Sequence, residues 1–254
     1  MNYRHGYHAG NFGDCVKHAL LVWLLGALTR KPAPLFVLDT HAGAGAYDLL
    51  AGQAERTGEW HGGIGRLLDD TPAVLADYVG LVRRLGLYPG SPVLARALLH
   101  PGDRMACCEL HPEEYAALRR RFARDPIVGV HHRDAWEALG ALLPPTERRG
   151  LVLIDPPFEA ADEFDRLLTG LRTGYARFHA GVFAAWYPIK HRAPVRAFLT
   201  AIRESGMRDV LAAEVWLREP LDAARLNGSG LLVVNPPFRF AEEAPAILSA
   251  LLDR

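Results

Sequence analysis

Short, continuously apolar segments alternate with stretches of helical periodicity along this chain, and few folds accommodate such an alternation. A short apolar run without a polar residue at every second position is typical of a strand that is buried on both faces. The predicted strands are 35–39, 104–109, 127–132, 151–155, 181–187, 209–217 and 230–235. The pattern therefore predicts an α/β fold, in which helices cover both faces of an open sheet of seven strands.

Helices are predicted between most of these strands. Asp14 is the expected N-cap of a first helix that ends near Arg30, shortly before Pro32. Further helices are expected over 112–124, 134–142, 160–173, 191–205 and 241–253. No helical stretch separates the last two strands, so we expect these strands to pair as an antiparallel hairpin.

The chain between the first and second strands is longer than a parallel crossover requires, since a dozen or more residues suffice. We therefore predict a small helical insertion over 47–100, with helices near 72–86 and 92–99. The main domain would then consist of 1–46 and 101–254. Insertions beside a ligand loop usually shape access to a site rather than support the sheet.

Charge and cysteine content narrow the classes of function. The chain has 29 Lys and Arg residues and 29 Asp and Glu residues, so a nucleic-acid binder of this composition must concentrate its positive charge locally. Cys15, Cys107 and Cys108 lack metal-ligand spacing, which predicts reduced core thiols and no metal site. The longest apolar run, 19–28, is too short to span a bilayer. We expect a cytoplasmic protein without membrane contact, and nothing in the sequence demands more than a monomer.

The first strand leads into a small turn, Asp39-Thr-His-Ala-Gly-Ala-Gly45. Glycine adopts positive φ and lets the backbone approach a ligand closely, which makes Gly43 and the neighbouring His41 candidate cofactor contacts. A full dinucleotide fingerprint needs a third glycine where Asp48 stands. The departure weakens the alternative of a nicotinamide-dependent oxidoreductase.

Acidic residues follow the next two strands. Glu109 ends the second strand, where a carboxylate can accept both ribose hydroxyls of an adenosyl cofactor. The alternative for Glu109 is a solvated residue at a strand end. Asp134 follows the third strand and either accepts the adenine amine of the cofactor or caps the helix that begins at Ala135.

The turn after the fourth strand, Asp155-Pro-Pro-Phe158, carries the strongest chemical signal. Its prolines exclude a helix and stiffen the turn, so the Asp155 carboxylate and the Pro156 carbonyl should face one point at the carboxyl edge of the sheet. Both groups are acceptors, and the exocyclic amine of an adenine offers two N–H donors. Phe158 offers a flat face on which an extruded base can stack. We predict that Asp155, Pro156 and Phe158 are catalytic in methyl transfer to such an amine; the alternative is a rigid turn.

A similar sequence, Asn235-Pro-Pro-Phe238, follows the seventh strand. A motif that acts beside the cofactor belongs on the strand next to the first one, at the switch point of the sheet. We therefore interpret Asn235 as structural.

Taken together, these motifs resemble the bacterial 23S ribosomal RNA adenine-N6 methyltransferases, the enzymes that modify adenine-2030 of the large-subunit RNA. The resemblance covers nearly the whole chain. Its blocks are Tyr3-Arg-His5, His8-Ala-Gly-Asn11, Lys17-His18, Leu38 to Gly45, Ala54 to Glu59, Tyr88 to Pro92, Glu109 to Pro112, Arg148 to Gly150, Ile154 to Pro157 and Trp186 to Pro188. It implies a class I, Rossmann-like methyltransferase sheet, S-adenosylmethionine as cofactor and 23S ribosomal RNA as partner.

The resemblance also assigns roles to individual residues. It implies a catalytic Asp155 and contact between Tyr3 and the RNA, and it implies the following cofactor contacts: His18, His41, Ser91, Glu109, Asp134 and Asp155. From the residues alone, His18 is a polar position on a helix and Ser91 an N-cap before Pro92. Two residues depart from the family pattern. Phe158 replaces a tyrosine, and Ala135 replaces a glycine, which narrows the space near the cofactor adenine.

RNA contacts are expected from local basic groups. These groups cluster at the amino end, as Arg4, His5, His8 and Lys17. A second set, Arg119, Arg120, Arg121 and Arg124, lines one helix and is either an RNA contact or a solvated face. Alternative substrates are a DNA adenine and a glutamine side-chain amide, and a further alternative is an RNA-binding module without catalysis.

Overall fold

The computed structural model describes residues 5–50 and 52–252. Its strands are β1 (Phe36–Asp39), β2 (Ala46–Tyr47), β3 (Tyr88–Pro89), β4 (Arg104–Glu109), β5 (Val128–His132), β6 (Gly150–Ile154), β7 (Val182–Ile189), β8 (Val210–Trp216) and β9 (Gly228–Val234). Its α-helices are α1 (Phe12–Thr29), α2 (Gly52–Thr57), α3 (Ile64–Asp69), α4 (Ala76–Leu85), α5 (Ser91–Leu98), α6 (Pro112–Arg121), α7 (Ala135–Ala141), α8 (Glu163–Arg177), α9 (Arg192–Glu204) and α10 (Phe240–Leu252).

Seven strands form one mixed sheet in the order β5-β4-β1-β6-β7-β9-β8. The first five strands in this order are parallel, and β9 is antiparallel to both β7 and β8. The predicted α/β sheet and the predicted hairpin of the last two strands are confirmed. The chain leaves β1 toward β4 on one side and later returns to β6 on the other side. This reversal of strand order creates a switch point, where ligands bind beyond the carboxyl ends of the strands.

Both faces of the sheet are covered, which explains the continuous apolar runs. Every residue of β1, β6 and β9 is buried. On one face α1, α5 and α10 pack together, whereas α7, α8 and α9 cover the other face. Side chains of alternating direction along each strand therefore enter two separate hydrophobic clusters.

Helix α1 begins at a different cap from the predicted one. Asn11 is the N-cap, and its side-chain oxygen accepts a hydrogen bond of 3.0 Å from the Asp14 backbone N–H. Asp14 instead lies inside the first turn, where its carboxylate has other partners. By length and composition α1 could cross a membrane, but it is largely buried and holds three buried polar residues, Asp14, Lys17 and His18. Its contacts with α5, α10 and β9 are those of a core helix.

Residues 48–87 leave and return at one place, because β2 and β3 pair in an antiparallel ladder there. Tyr78 and Val79 of α4 are buried in the same hydrophobic cluster as α1. Helix α5 packs along α1 and against β1. The division into a main domain and an insertion over 47–100 stays a prediction.

Candidate active site

A cavity of about 290 Å³ lies at the carboxyl edge of the sheet, over the ends of β1, β4, β5 and β6. The predicted cofactor contacts all line this cavity: His18, His41, Gly43, Ser91, Glu109, Asp134, Ala135 and Asp155. They come from segments far apart in sequence, and the switch point brings them together. Their cofactor roles themselves stay predictions.

The glycine turn forms one wall of the cavity. Gly43 has a φ of 59°, and a Cβ at this position would collide with the Tyr47 hydroxyl. The positive φ favours glycine, and a side chain at this position would force the Tyr47 hydroxyl to move. The Gly43 N–H donates a hydrogen bond of 2.8 Å to Glu109 Oε2.

Glu109 is held by backbone donors on both of its oxygens. Its Oε1 accepts a second hydrogen bond, of 2.7 Å, from the His111 N–H. An ionised carboxylate has about four acceptor positions, so these two bonds leave capacity for further donors such as ribose hydroxyls. The structure thus fixes the orientation of Glu109 and leaves it able to accept, unlike a freely solvated strand-end residue.

Asp134 is the N-cap of α7. Its side chain accepts hydrogen bonds from the N–H groups of Trp136 and Glu137, at 2.9 and 3.2 Å. The capping interpretation is therefore confirmed, while Asp134 also lines the cavity. Both bonds go to Oδ1, so the cap by itself engages one of the two carboxylate oxygens.

His18 and Ser91 are tied to buried partners on the same side of the cavity. His18 Nδ1 lies 2.9 Å from the Tyr88 hydroxyl, and burial lowers the pKa of His18 to about 3. Ser91 Oγ donates a hydrogen bond of 2.7 Å to Asp39 Oδ2, and burial raises the pKa of Asp39 to about 7. The N-cap of α5 is Gly90, so the interpretation of Ser91 as an N-cap is wrong.

Asp155 follows β6 and is paired with a buried lysine. Lys17 Nζ lies 2.5 Å from Asp155 Oδ2 and 2.9 Å from Asp14 Oδ1. Burial acts to lower the pKa of Lys17, but the two carboxylates raise it above its usual value. Likewise, burial acts to raise the pKa of Asp14, but His5 and Lys17 hold it well below its usual value. His5 lies at the end of this row, with Nε2 at 2.9 Å from Asp14 Oδ2.

These ion pairs show that the predicted RNA contact of Lys17 is wrong. Lys17 was expected at the RNA surface, but its side chain is only 4% exposed and its ammonium is used by two carboxylates. It is therefore a partner of Asp155 rather than an exposed phosphate contact. His5 lines the cavity, and His8 pairs with Glu59. Tyr3 and Arg4, the other expected RNA contacts, lie outside the described residues.

His41 lies between the glycine turn and the Asp155 turn. Its Nδ1 is 3.4 Å from the Asp155 backbone N and 2.8 Å from Thr40 Oγ. Burial lowers the pKa of His41 to about 3, and Arg166 and Lys17 act in the same direction. A neutral His41 thus links the ends of β1 and β6.

The two prolines and Phe158 occupy different places in the Asp155 turn. Pro156 is buried, and it is Pro157 that lines the cavity. Phe158 has a φ of 51°, and its ring packs edge-on against Phe164 and Trp186, at centroid distances of 4.9 and 6.0 Å. The Phe158 ring thus lies beside the cofactor-side cavity rather than in its wall, and its stacking role stays a prediction.

Asn235 lies at the other edge of the sheet. Because β9 runs antiparallel to β7, its last residue Val234 pairs with Phe183 near the start of β7. The Asn235 amide donates to the carbonyls of His179 and Gly181, at 2.7 and 2.8 Å. Asn235 therefore joins two loops far from Asp155, and its structural interpretation is confirmed.

The arginine-rich helix α6 runs away from the carboxyl edge of the sheet. Helix α6 begins at Pro112, just beyond the carboxyl end of β4, and runs back toward the amino edge. Arg119 and Arg120 are exposed in its last turn. The exposure of Arg119 and Arg120 at the far end of α6 favours a solvated face for these two residues, whereas the Arg121 side chain lies against Gly45 of the glycine turn.

Several known proteins are similar to this chain in sequence or in structure. A model of the family described as ribosomal RNA large subunit methyltransferase D, RlmJ, matches residues 32–254. The chain is 39% identical over 256 residues to ribosomal RNA large subunit methyltransferase J of Escherichia coli (strain K12), covering 98% of this chain and 91% of that protein. It is 39% identical over 260 residues to the protein of the same name from Haemophilus influenzae, covering 99% and 92%. The crystal structure of protein LPL1258 from Legionella pneumophila has a TM-score of 0.88 and 36% identity, covering 96% of this chain and 92% of that one.

Proposed function

Because the chain belongs to the RlmJ family of ribosomal RNA large subunit methyltransferases, we propose that it methylates the N6 amine of an adenine in 23S ribosomal RNA, at adenine-2030. Membership of the family makes S-adenosylmethionine the cofactor and ribosomal RNA methylation the activity. The target nitrogen, the nucleotide and the residue roles are the proposal.

The polar groups that line the cavity match those of an adenosyl cofactor. His18 Nε2 is buried in its wall and has no partner among the described residues, so a bound ligand would supply one. Glu109 would accept the ribose hydroxyls, and Asp134 would accept the adenine amine. Gly43, His41 and Ser91 would hold the remainder of the molecule, with Ala135 narrowing the space beside the adenine.

The observation that supports the proposal is the position of Asp155. It follows the strand next to β1 and lines the same cavity as Gly43 and Glu109. The cofactor, when bound, supplies a methyl group activated by a positively charged sulfur. Positioning and electrostatics are then the main demands on the protein, and no deep general base is required.

Asp155 and the Pro156 carbonyl would each accept one N–H of the target amine. Holding both hydrogens fixes the nitrogen and draws its lone pair out of conjugation with the ring. Pro156 and Pro157 stiffen the turn that aligns these acceptors, and Lys17 fixes the carboxylate through Oδ2. Phe158 would stack on the extruded base from the side of Trp186. The proton leaves after methyl transfer, to Asp155 or to water.

The test is to map methylated adenines in 23S ribosomal RNA by mass spectrometry, using cells with and without this chain. We expect N6-methylation of adenine-2030 to be lost without the chain and restored by the wild-type protein, but not by Asp155→Ala. Calorimetric binding of S-adenosylhomocysteine should be largely retained in Asp155→Ala. A methylation level that does not depend on the chain, or full restoration by Asp155→Ala, would refute the assignment.

A DNA adenine or a protein glutamine would present similar N–H donors to Asp155. A methylation assay that compares protein-free ribosomal RNA, duplex DNA and protein separates these substrates. We expect methyl incorporation into the ribosomal RNA alone.

A further inference from the structure

A row of buried hydrogen-bonding groups leads from residues 47–100 to the cofactor cavity. His18 Nδ1 lies 2.9 Å from Tyr88 Oη, Tyr88 Oη lies 3.1 Å from Tyr78 Oη, and Tyr78 Oη lies 3.7 Å from Cys15 Sγ. None of these four side chains is more than 2% exposed. Water is therefore not needed to explain any of these contacts, and the groups form one continuous row, here called the tyrosine relay.

His18 connects the tyrosine relay to the cavity through its two ring nitrogens. Nδ1 faces Tyr88, whereas Nε2 is buried and has no partner among the described residues, and His18 is one of the residues that line the cavity. Burial keeps the ring neutral, so one nitrogen carries a hydrogen and the other a lone pair. Whatever sets the hydrogen on Nδ1 therefore decides what Nε2 offers to a ligand.

The contacts of Cys15 determine which group of each pair in the tyrosine relay donates the hydrogen bond. The Cys15 thiol points at the Gly10 carbonyl oxygen, 3.8 Å away, and a carbonyl can only accept. The sulfur is then left to accept from Tyr78, Tyr78 accepts from Tyr88, and Tyr88 accepts from His18 Nδ1–H. In the opposite direction, Tyr78 donates to Tyr88 and Tyr88 donates to His18 Nδ1. The hydrogen bond from Tyr78 to the sulfur is then lost, and no new hydrogen bond replaces it. The first arrangement satisfies more of these buried groups, as buried polar groups generally require.

We propose that Tyr78 and Tyr88 are positioning residues for the cofactor, which hold His18 in the Nδ1–H tautomer so that Nε2 accepts an N–H or O–H of S-adenosylmethionine. The proposal rests on the cofactor contact of His18 that is part of the proposed function. It also gives residues 47–100 a direct part in cofactor binding, since α4 carries Tyr78 and β3 carries Tyr88.

The tautomer can be measured without cofactor or RNA, by nitrogen NMR of protein labelled with ¹⁵N-histidine. The His18 signals are identified by their loss in His18→Asn. We expect a protonated Nδ1 and an unprotonated Nε2 in the wild type, and a population of the Nε2–H tautomer in Tyr88→Phe. A wild-type ring with its hydrogen on Nε2 would overturn the proposed direction, and an unchanged tautomer in Tyr88→Phe would overturn the role of Tyr88.

Binding of S-adenosylhomocysteine by calorimetry supplies a second readout. Tyr78→Phe and Tyr88→Phe should weaken binding about 2- to 12-fold, the range for a single lost hydrogen bond. The KM for the cofactor should rise while kcat at saturation is retained. Tyr175→Phe is the matched control, because Tyr175 also contacts a histidine ring, His179, but lies on α8.

The variants remove one oxygen each and keep the ring, and circular dichroism melts check that they remain folded. Folded relay variants that bind as tightly as the Tyr175→Phe control would overturn the proposal. A failure of the 23S assignment would leave the NMR and calorimetric readouts intact, because neither of them involves RNA. The two proposals can therefore fail separately.

Discussion

At the scale of single residues, buried charge is concentrated where the chemistry is proposed. The Lys17 ammonium has two carboxylate partners, one within α1 and one in the turn after β6. A buried charge that loses its partner is far more costly than an exposed one, because the partner left behind cannot be solvated. Removal of Lys17 alone is therefore expected to destabilise the fold, and Lys17 also holds the Asp155 carboxylate in place.

Lys17→Met removes the ammonium while keeping much of the side-chain volume. We expect a loss of about 3–5 kcal/mol in the free energy of unfolding, because Asp14 and Asp155 are left without their common partner. Urea unfolding measures this loss. Arg225→Met is the control, since it breaks an exposed ion pair with Asp222 that is worth less than about 1 kcal/mol. Equal effects of the two substitutions would contradict the importance of the buried pairing.

Asp39 predicts a dependence of stability on pH. Its pKa is raised to about 7 by burial, whereas an unfolded aspartate titrates near 4. Between about pH 4 and 7 the unfolded chain has lost this proton and the folded protein retains it, so the free energy of unfolding falls as the pH rises, by up to about 4 kcal/mol. Asp39→Asn should remove this fall while keeping an acceptor for Ser91.

The measurement is a comparison of urea unfolding for wild type and Asp39→Asn at several pH values. His18 and His41 contribute the opposite slope in this window, because burial lowers the pKa of each to about 3. The difference between the two proteins cancels that contribution. A difference that stays constant from pH 4 to 7 would show that Asp39 is ionised throughout.

At the scale of elements, the turn after β1 determines how closely a ligand can approach the backbone. Gly43 and Gly86 both have positive φ, 59° and 82°. A Cβ at Gly43 would meet the Tyr47 hydroxyl, whereas a Cβ at Gly86 would meet nothing within 4 Å. The pair therefore separates the cost of backbone conformation from the cost of a close contact with the Tyr47 side chain.

Gly43→Ala should weaken S-adenosylhomocysteine binding, because the added methyl group displaces the Tyr47 hydroxyl, which accepts a hydrogen bond from the Ala44 N–H of the same turn. Gly86→Ala should cost about 1–3 kcal/mol of stability through its backbone conformation alone and leave binding unchanged. Calorimetry and thermal melts of both variants provide the comparison. Equal cofactor affinity of the two variants would show that the absence of a side chain at Gly43 does not matter for cofactor binding.

The elements also show where sequence patterns succeed. The strand Arg104–Glu109 was predicted with its observed bounds, and 151–155 differs from β6 by one residue at each end, because apolar runs mark burial directly. The prediction of Asp14 as the N-cap of α1 was wrong because Asn11 and Asp14 are both good N-cap residues. Only the folded protein shows that Asp14 has other partners. Helices α2 and α3 were too short to produce a periodicity.

Some site residues could likewise be predicted from the sequence, and others could not. Glu109 and Asp155 were predictable because their positions follow from strand order, which fixes what lies at the carboxyl edge. The pairing of Lys17 with Asp155 was not, because 138 positions separate them and no local pattern records the contact. The spacing of Asp14 and Lys17 by one helical turn was the available signal.

At the scale of the whole molecule, the cavity lies over the ends of β1, β4, β5 and β6, and the end of β7 lies next to it in the sheet. We expect the RNA to approach from the side of β6 and β7. Asn227 ties the loop after β8 to this side, with its N–H donating to the Ile189 carbonyl and its amide to the Lys190 carbonyl, at 2.9 and 2.8 Å. Leu226 of the same loop packs near Gly13 and Trp186, beside Lys17. The loop therefore borders the entrance to the Asp155 turn.

Two cations on this border are available to phosphates. Lys190 and Arg218 are exposed and form no ion pair within the part of the chain that the structure describes. Each phosphate contact releases counterions from RNA, so losing a contact reduces the slope of log affinity against log salt by about 1. We expect Lys190→Glu with Arg218→Glu to weaken binding of a 23S ribosomal RNA fragment and to lower this slope by about 2.

Arg119→Glu with Arg120→Glu is the matched control, with the same change of charge on the last turn of α6. Filter binding across a series of salt concentrations gives the slope for each protein, and calorimetry should show unchanged cofactor binding in both. The control should leave the slope close to wild type, because α6 carries these arginines away from the edge that holds Asp155. A larger loss of slope in the α6 variant would instead place the RNA over the cofactor side of the sheet, where the base could reach Asp155 only across the cavity.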